Sequence, residues 1–353
     1  MIRRQECITM NLDTLDLGIL ECLALNCRLP HTSIADALHV SPNTITGRIK
    51  NLEQQGIIRQ YVTLVDLRPL GFHRHHVLLR FQGKGHNLHE QCRILARSPS
   101  AAWVVSYAGL YDAQVIFHTH EQLSMAEVLS EILSLCNNAL QEYAVFSDQE
   151  DLEYTNFLPL FNQRPKIKFK DDGSFGDILS FKSFPARTVL KKISYTSVDL
   201  QILRELGKNP RASFTELSHK VGTERQTIKK RIERLIEAGV IMSFGIGLDH
   251  QQLGFSAYHA LFKLQPGTSA SSQVKAFRGV EGVFYAGTTH GAYDLSAYFY
   301  TRTPQDLNRH MQLIRDTFGG HVRSTDLLVY DLVHHWRQST DTVYEVLRKN
   351  QDR

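Results

Sequence analysis

The chain has 353 residues, a length that allows two or three domains, and its 42% hydrophobic and 9% aromatic content lets each of them bury its own core. Forty Lys and Arg against 36 Asp and Glu leave a net charge of +4, which permits a nucleic-acid partner without demanding one. No apolar run approaches the roughly 18 residues of a membrane span, the two N-terminal arginines lack an apolar stretch behind them, and five cysteines (Cys7, Cys22, Cys27, Cys92, Cys136) with no C-x-x-C pair point to reduced thiols and a cytoplasmic location.

The pattern begins with Asp13-Thr14-Leu15-Asp16, a capping residue followed by an acidic residue three positions on. The spacing predicts a helix that buries Ile19, Leu20 and Leu23, then a short helix over residues 32–38. Ser41-Pro42 opens a third helix, because a hydroxyl caps well and proline suits the first helical position. Ile45, Ile49 and Leu52 then recur at i, i+4 and i+7, and Gly56 ends the helix. Residues 57–64 alternate toward a strand. Three helices and a strand ribbon predict a winged helix-turn-helix unit over residues 10–66.

A second unit follows over residues 70–150. Strands are expected at 77–82, 103–108, 113–119 and 143–146, with helices at 88–96 and 123–136. The order strand-helix-strand-strand-helix-strand is ferredoxin-like. The middle strands flank the turn Gly109-Leu110-Tyr111-Asp112.

The chain then repeats itself. At an offset of 183, 19 of the 57 positions between residues 16 and 72 are identical to those between 199 and 255, without a gap. Self-similarity of this length is a duplicated domain pair. A second winged unit is expected at 195–249, and a second ferredoxin-like unit at 253–335 with its own turn, Gly291-Ala292-Tyr293-Asp294. In that unit strands are expected at 258–264, 283–289, 295–300 and 321–330, and helices at 272–277 and 306–318. Residues 151–194 read as a connector in which Lys166, Lys168 and Lys170 alternate along one strand face. Residues 336–353 read as a closing helix. The fold class is α+β, a tandem duplication of a winged helix-turn-helix followed by a βαββαβ domain.

The ordered set Leu12-Asp13-x-x-Asp16-x-x-Ile19-Leu20, Ser41-x-x-Thr44-Ile45-x-x-Arg48-Ile49-x-x-Leu52-Glu53-x-x-Gly56-Ile57-Ile58, Leu70-Gly71-Phe72 and Gly109/Tyr111/Asp112 resembles the Lrp/AsnC transcriptional regulators. The second repeat departs at the start of its third helix, where Thr223-Glu224-Arg225 replaces Val40-Ser41-Pro42. What the resemblance implies is a DNA-binding unit followed by a unit that dimerises and senses small molecules, often amino acids. The expected partners are double-stranded DNA, an effector and further copies of the chain. No cofactor is implied.

A recognition helix puts its first turns into the major groove. In the first repeat this makes Ser41, Asn43, Thr44, Thr46, Gly47, Arg48 and Lys50 the candidates, since Asn pairs with adenine and Thr meets thymine methyls. In the second they are Arg225, Gln226, Thr227, Lys229, Lys230, Arg231 and Arg234. Arg48 and Arg231 occupy matching positions, suited to holding a phosphate or to buttressing the helix, and Arg234 is expected to face a phosphate. Residues 28–51 carry three cations and one anion, net +2; residues 211–234 carry seven and three, net +4. The second head is therefore expected to bind more tightly and less selectively.

The effector site is expected at the turns. Gly109 and Gly291 free the backbone there, Asp112 and Asp294 suit an ammonium group, Tyr111 and Tyr293 suit a cover, and Thr288, Thr289 and His290 add polar groups. The competing assignment is a plain β-turn. Seventeen histidines, among them His73, His75, His76, His118, His120, His334 and His335, have no ligand spacing that defines a metal site. Fused chains of this kind also include sirohaem decarboxylases, the rival reading. The residues around the first turn, Ser106-Tyr107-Ala108-Gly109-Leu110-Tyr111-Asp112, differ from the motifs those enzymes carry, so no catalytic residue is expected.

Overall fold

The computed structural model describes residues 12–83, 87–120, 124–154, 192–277, 280 and 282–336. Cys7, the Lys166–Lys168–Lys170 alternation and the closing helix lie outside the described residues, as does most of the connector.

The first head consists of α1 (Thr14–Leu25), α2 (His31–Leu38), α3 (Pro42–Gln54) and β1 (Ile58–Val65). Its caps follow the sequence. Asp13 and Asp16 form a reciprocal capping box, and Ser41 accepts from the Thr44 N–H with Pro42 in the first turn. The second head repeats it with α6 (Ser197–Lys208), α7 (Phe214–Val221), α8 (Arg225–Glu237) and β6 (Ile241–Leu248). Thr196 and Asp199 again make a capping box, whereas Glu224 before α8 makes no side-chain cap bond.

One expectation changes here. Among the described residues, neither head builds a strand ribbon of its own. β1 and β6 pair antiparallel with each other, so the ribbon is shared between the halves. Reciprocal bonds frame it: the Asp66 N–H reaches the Val240 carbonyl at 2.8 Å, and the Asp249 N–H reaches the Ile57 carbonyl at 3.0 Å. Side chains of both heads form one apolar core, including Leu23, Ile45 and Leu52 from the first and Leu206, Ile228 and Leu235 from the second.

The first sensing-type unit has β2 (His73–Phe81), α4 (Leu88–Ala96), β3 (Ala101–Ala108), β4 (Ala113–Thr119), α5 (Met125–Leu135) and β5 (Leu140–Tyr154). The second has β7 (Ser256–Leu264), α9 (Ala270–Gln273), β8 (Val283–Gly291), β9 (Leu295–Thr301), α10 (Pro304–Phe318) and β10 (Val322–Trp336). The helix expected at 272–277 is a single turn, α9, that passes into a 3₁₀ turn at Val274–Phe277. Both sheets have the ferredoxin-like order, β5-β2-β4-β3 and β10-β7-β9-β8. They join through β5–β8 and β10–β3 into one closed eight-stranded barrel. This explains why β5 and β10 are 15 residues each, far longer than the alternation at 143–146 and 321–330 suggests. Their second halves pair with the opposite sheet. Closure pairs the outer strands of both these sheets, so among the described residues the barrel offers no free edge for joining a second copy.

The layer between the sheets is partly polar. His76 bridges Asp148 (3.1 Å) and the Gln114 amide (2.8 Å); Gln114 Oε1 accepts from Tyr107 at 2.6 Å and Tyr298 at 3.3 Å. Tyr107 in turn meets His259, whose other nitrogen meets Ser296. Burial opposes the Asp148 charge, but the ion pair with Arg74 and the hydrogen bond to His76 prevail and hold its carboxyl well below the usual carboxylate range. Contacts of fixed direction across the two sheets specify how they meet more narrowly than an apolar layer does.

Candidate nucleic-acid interface

In α3 the stripe Ile45, Ile49 and Leu52 is buried, which turns Asn43, Thr44, Thr46, Gly47 and Lys50 to the surface. In α8 the stripe Ile228, Ile232 and Leu235 does the same for Arg225, Gln226, Lys229 and Lys230, with Thr227 half-buried. These are the residues that a groove-bound helix offers to DNA.

Several candidates carry second engagements. Ser41 Oγ is spent on the helix cap, accepting from the Thr44 N–H and bonding Thr44 Oγ1 at 2.9 Å. Thr46 Oγ1 lies 2.8 Å from His31 Nδ1 and 3.0 Å from the Pro42 carbonyl. Lys229 has Glu233 3.8 Å away.

The arginines act mainly as buttresses. Arg48 pairs with Asp13 at 2.7 Å and Asp16 at 3.1 Å. Arg231 pairs with the fully buried Asp199 at 3.0 Å and also donates to Thr196. The phosphate-facing position expected of Arg234 is not where its guanidinium goes: it donates to the Ser194 carbonyl at 2.7 Å and lies 3.4 Å from Asp199. Each ion pair ties α3 or α8 back to the first helix of its own head.

The glycine turns are used by the fold. A Cβ at Gly109 would lie 2.9 Å from the Leu327 carbonyl oxygen, and one at Gly291 would lie 2.6 Å from the Val145 oxygen. The backbone of the opposite half therefore fills the space a side chain would take. Asp112 accepts from the Phe81 N–H and Asp294 from the Leu264 N–H, both at 2.7 Å. Tyr111 and Tyr293 are buried between the sheets rather than placed as outer covers. Thr288 and Thr289 are buried as well, and Thr289 Oγ1 donates to the Tyr293 carbonyl. Gly109, His290 and Gly291 remain at the surface, with Asp112 and Asp294 half-buried.

One group escaped the sequence reading. Arg28 lies over the Phe244 ring (5.1 Å), and Arg211 lies over the Tyr61 ring (5.0 Å). Each cation belongs to one head and each ring to the other. The signal was present: Asn26-x-Arg28 and Asn209-x-Arg211 are identical in the two repeats. Both asparagines accept from the arginine's own N–H in the same local turn.

Two buttressed helices with exposed polar faces, held on one core, define a helix-turn-helix DNA reader. The family described as winged helix-turn-helix DNA-binding matches the chain twice, over residues 12–59 and 196–242. An uncharacterized HTH-type transcriptional regulator of Pyrococcus furiosus is 31% identical over 126 residues, covering 36% of this chain and 84% of that protein. An HTH-type transcriptional regulator of Mycobacterium tuberculosis is also 31% identical, over 34% of this chain and 81% of its own length. Among solved structures, the siroheme decarboxylase NirDL shares the fold over 96% of this chain and 100% of its own, with a TM-score of 0.58 and 12% identity. The chain belongs to the winged helix-turn-helix family of HTH-type transcriptional regulators. Among the described residues, no helix is long and apolar enough to cross a membrane.

Proposed function

We propose that this chain is a sequence-specific DNA-binding regulator of the Lrp/AsnC type that carries both heads of a two-headed reader on one polypeptide. The observation that carries the reading is the pair α3 and α8: two recognition helices with different exposed residues, fixed to one another by the shared β1–β6 ribbon and a common core. Asn43, Thr44 and Thr46 give the first head groups suited to base edges, and Arg225, Lys229 and Lys230 give the second groups suited to phosphates. Two unlike heads fit an operator with two unlike half-sites. The test is selection of genomic fragments by the purified protein, followed by footprinting at two salt concentrations. A protected site with two dissimilar halves is the expected result; no enrichment at low salt would remove DNA binding as the main role.

Small-molecule control, with an amino acid as the effector, is part of the same proposal and rests on the resemblance. The surface it would meet at the turns is Gly109, His290 and Gly291 beside Asp112 and Asp294. Amino acids that shift the footprint of the wild type but not of Asp112→Asn or Asp294→Asn would place the effector there. A homo-oligomer would form through helical or turn surfaces or the β1–β6 ribbon, because the edges of the barrel sheets are consumed.

A second reading has one observation in its favour, the whole-chain likeness of fold to a siroheme decarboxylase. Against it stands the layer between the sheets, where His76, Tyr107, Gln114, His259 and Tyr298 are buried against each other. Titration with sirohaem, followed by visible absorbance, decides between the two.

A further inference from the structure

Arg211 belongs to the second half of the chain, yet its side chain works in the first. Its guanidinium donates from Nη1 to the Tyr61 hydroxyl at 3.2 Å and from Nη2 to His31 Nε2 at 3.1 Å. Both partners lead to α3. Tyr61 donates to Glu53 at 2.6 Å, in the last turn of the helix, and His31 Nδ1 meets Thr46 Oγ1 at 2.8 Å, in its second turn. Arg211 therefore braces the first recognition helix near both ends.

The direction of every bond in this chain is fixed by chemistry. A guanidinium can only donate, so His31 Nε2 is an acceptor and its proton sits on Nδ1. His31 then donates to Thr46, and the Thr46 hydroxyl donates onward to the Pro42 carbonyl at 3.0 Å. Burial and the adjacent Arg211 hold His31 below its ordinary pKa, in keeping with the neutral ring that this geometry requires. With its oxygen engaged on both sides, the exposed Thr46 side chain has its methyl group as its uncommitted end.

The relay exists in one half only. At an offset of 183, His31 corresponds to Phe214, Thr46 to Lys229, Glu53 to Ile236 and Tyr61 to Phe244. Arg28 corresponds to Arg211, but it donates to the Pro210 and Ala212 carbonyls. The crossing cation is duplicated, whereas the hydrogen-bonded path from it into a recognition helix belongs to the first head.

We infer that Arg211 is a specificity-determining residue of the opposite head: through His31 it locks Thr46 so that a methyl group, not a hydroxyl, meets the base edge. The inference rests on the proposal that α3 reads DNA. It assigns a thymine, whose C5 methyl packs against that of Thr46, to one position of the first half-site.

The test is selection from a random DNA pool with the full-length protein, comparing the wild type with Arg211→Met, Arg28→Met, Thr46→Val and Thr46→Ser. The wild type and Thr46→Val, which keeps the methyl group, select thymine at the same position, and Thr46→Ser does not. Arg211→Met flattens the preference at that position and leaves the second half-site intact, while Arg28→Met leaves the first half-site sharp. Uracil in place of that thymine weakens wild-type binding about fourfold, the factor expected for one buried methyl group. Unchanged selectivity in Arg211→Met overturns the inference. So does uniform weakening with a salt slope lower by about one, because Arg211 would then be a phosphate contact. So does equal blurring by Arg28→Met, which would mean general loosening between the heads. A wild type that selects no sequence at all refutes the DNA-reading proposal itself, a result distinct from a selective wild type matched by a selective Arg211→Met.

Discussion

Val62 and Gly245 occupy the same place in the two repeats, 183 residues apart, and they face each other across the β1–β6 ribbon. A position that pairs with its own equivalent lies on an axis of two-fold pseudo-symmetry. The two heads are therefore arranged as a symmetric dimer would arrange them, with the chain supplying both copies. Since they share one core, the separation of α3 and α8 is set by the protein before DNA is met.

Fixed separation makes half-site spacing stringent. Once an operator is selected, insertion of about five base pairs between its halves turns one half-site to the opposite face of the duplex. Affinity in a mobility-shift assay should then fall to that of one head alone. Equal affinity for the two spacings would show that the heads move independently.

The heads should also differ in salt response. Each phosphate neutralised contributes about 0.9 to the slope of log K against log salt. Replacing Lys229 and Lys230 together by alanine should lower the slope by about 1.8, and Lys50→Ala by no more than about 0.9. Asn43→Ala and Thr44→Ala should leave the slope alone and relax base preference in the first half-site. If Lys50→Ala lowers the slope and the affinity as much as the joint replacement of Lys229 and Lys230, the division into a selective and an adhesive head is wrong.

Asp199 should matter more to stability than its surface partners. It is fully buried, accepts from the Thr196 N–H at 2.8 Å and faces both Arg231 and Arg234. Asp199→Ala removes a capping box and strands a half-buried guanidinium, at a cost of about 3 kcal/mol. Asp16→Ala should cost less, because Arg48 keeps Asp13. Urea unfolding followed by circular dichroism measures both. A cost below about 1 kcal/mol for Asp199→Ala would mean that Arg231 and Arg234 are not held by it, which would return them to the list of phosphate contacts.

Local chemistry made the heads legible in the sequence. The Asp13–Asp16 box, the Ser41-Pro42 start and the Ile45/Ile49/Leu52 stripe each act within a few residues, so spacing reveals them. The ends of β5 and β10 were not legible, because their pairing with β8 and β3 depends on how two distant sheets close. The role of the glycine turns was not legible for a related reason. Gly109 and Asp112 are what a ligand-binding turn and an ordinary turn both use, and only the packing of Leu327 and Leu328 against Gly109 shows what the missing side chain accommodates. Arg28 and Arg211 were visible as identities, but their aromatic partners lie across the pseudo-two-fold axis, where no periodicity points.

That packing yields a stability prediction. Gly109 has φ +152° and Gly291 has φ +124°, and in each case an added Cβ meets opposite-half backbone. Gly109→Ala and Gly291→Ala should each cost about 1–3 kcal/mol, combining overpacking with backbone strain. Gly47, in the middle of α3 with nothing within 4 Å of an added Cβ, should behave oppositely. Gly47→Ala should stabilise by about 1 kcal/mol through helix propensity. Thermal unfolding distinguishes them. A neutral Gly291→Ala would mean that the β5–β8 seam can open to admit a side chain, the freedom an effector would need.

Acid should weaken the protein well before its carboxylates titrate. Burial pushes His75 and His250 down to about 4 and His118 down to about 3, and it holds His259 well below its ordinary value. In the unfolded chain these rings titrate near 6.5. Between about pH 6.5 and 4 the unfolded state therefore binds more protons than the folded one, and stability rises with pH across that window. Each histidine contributes at most about 1.4 kcal/mol per pH unit there, and the contribution is complete above about pH 7. Asp148 has a depressed pKa, so its stabilising effect is present above about pH 4 and is lost only below it. Urea midpoints measured from pH 8 to 4.5 should stay level at first and then drop. His118→Gln, which removes one ring that folding must keep neutral, should make the drop shallower. A flat profile down to pH 5 would show that these rings are hydrated or paired, and that the layer between the sheets is more open than the side-chain packing around His259 implies.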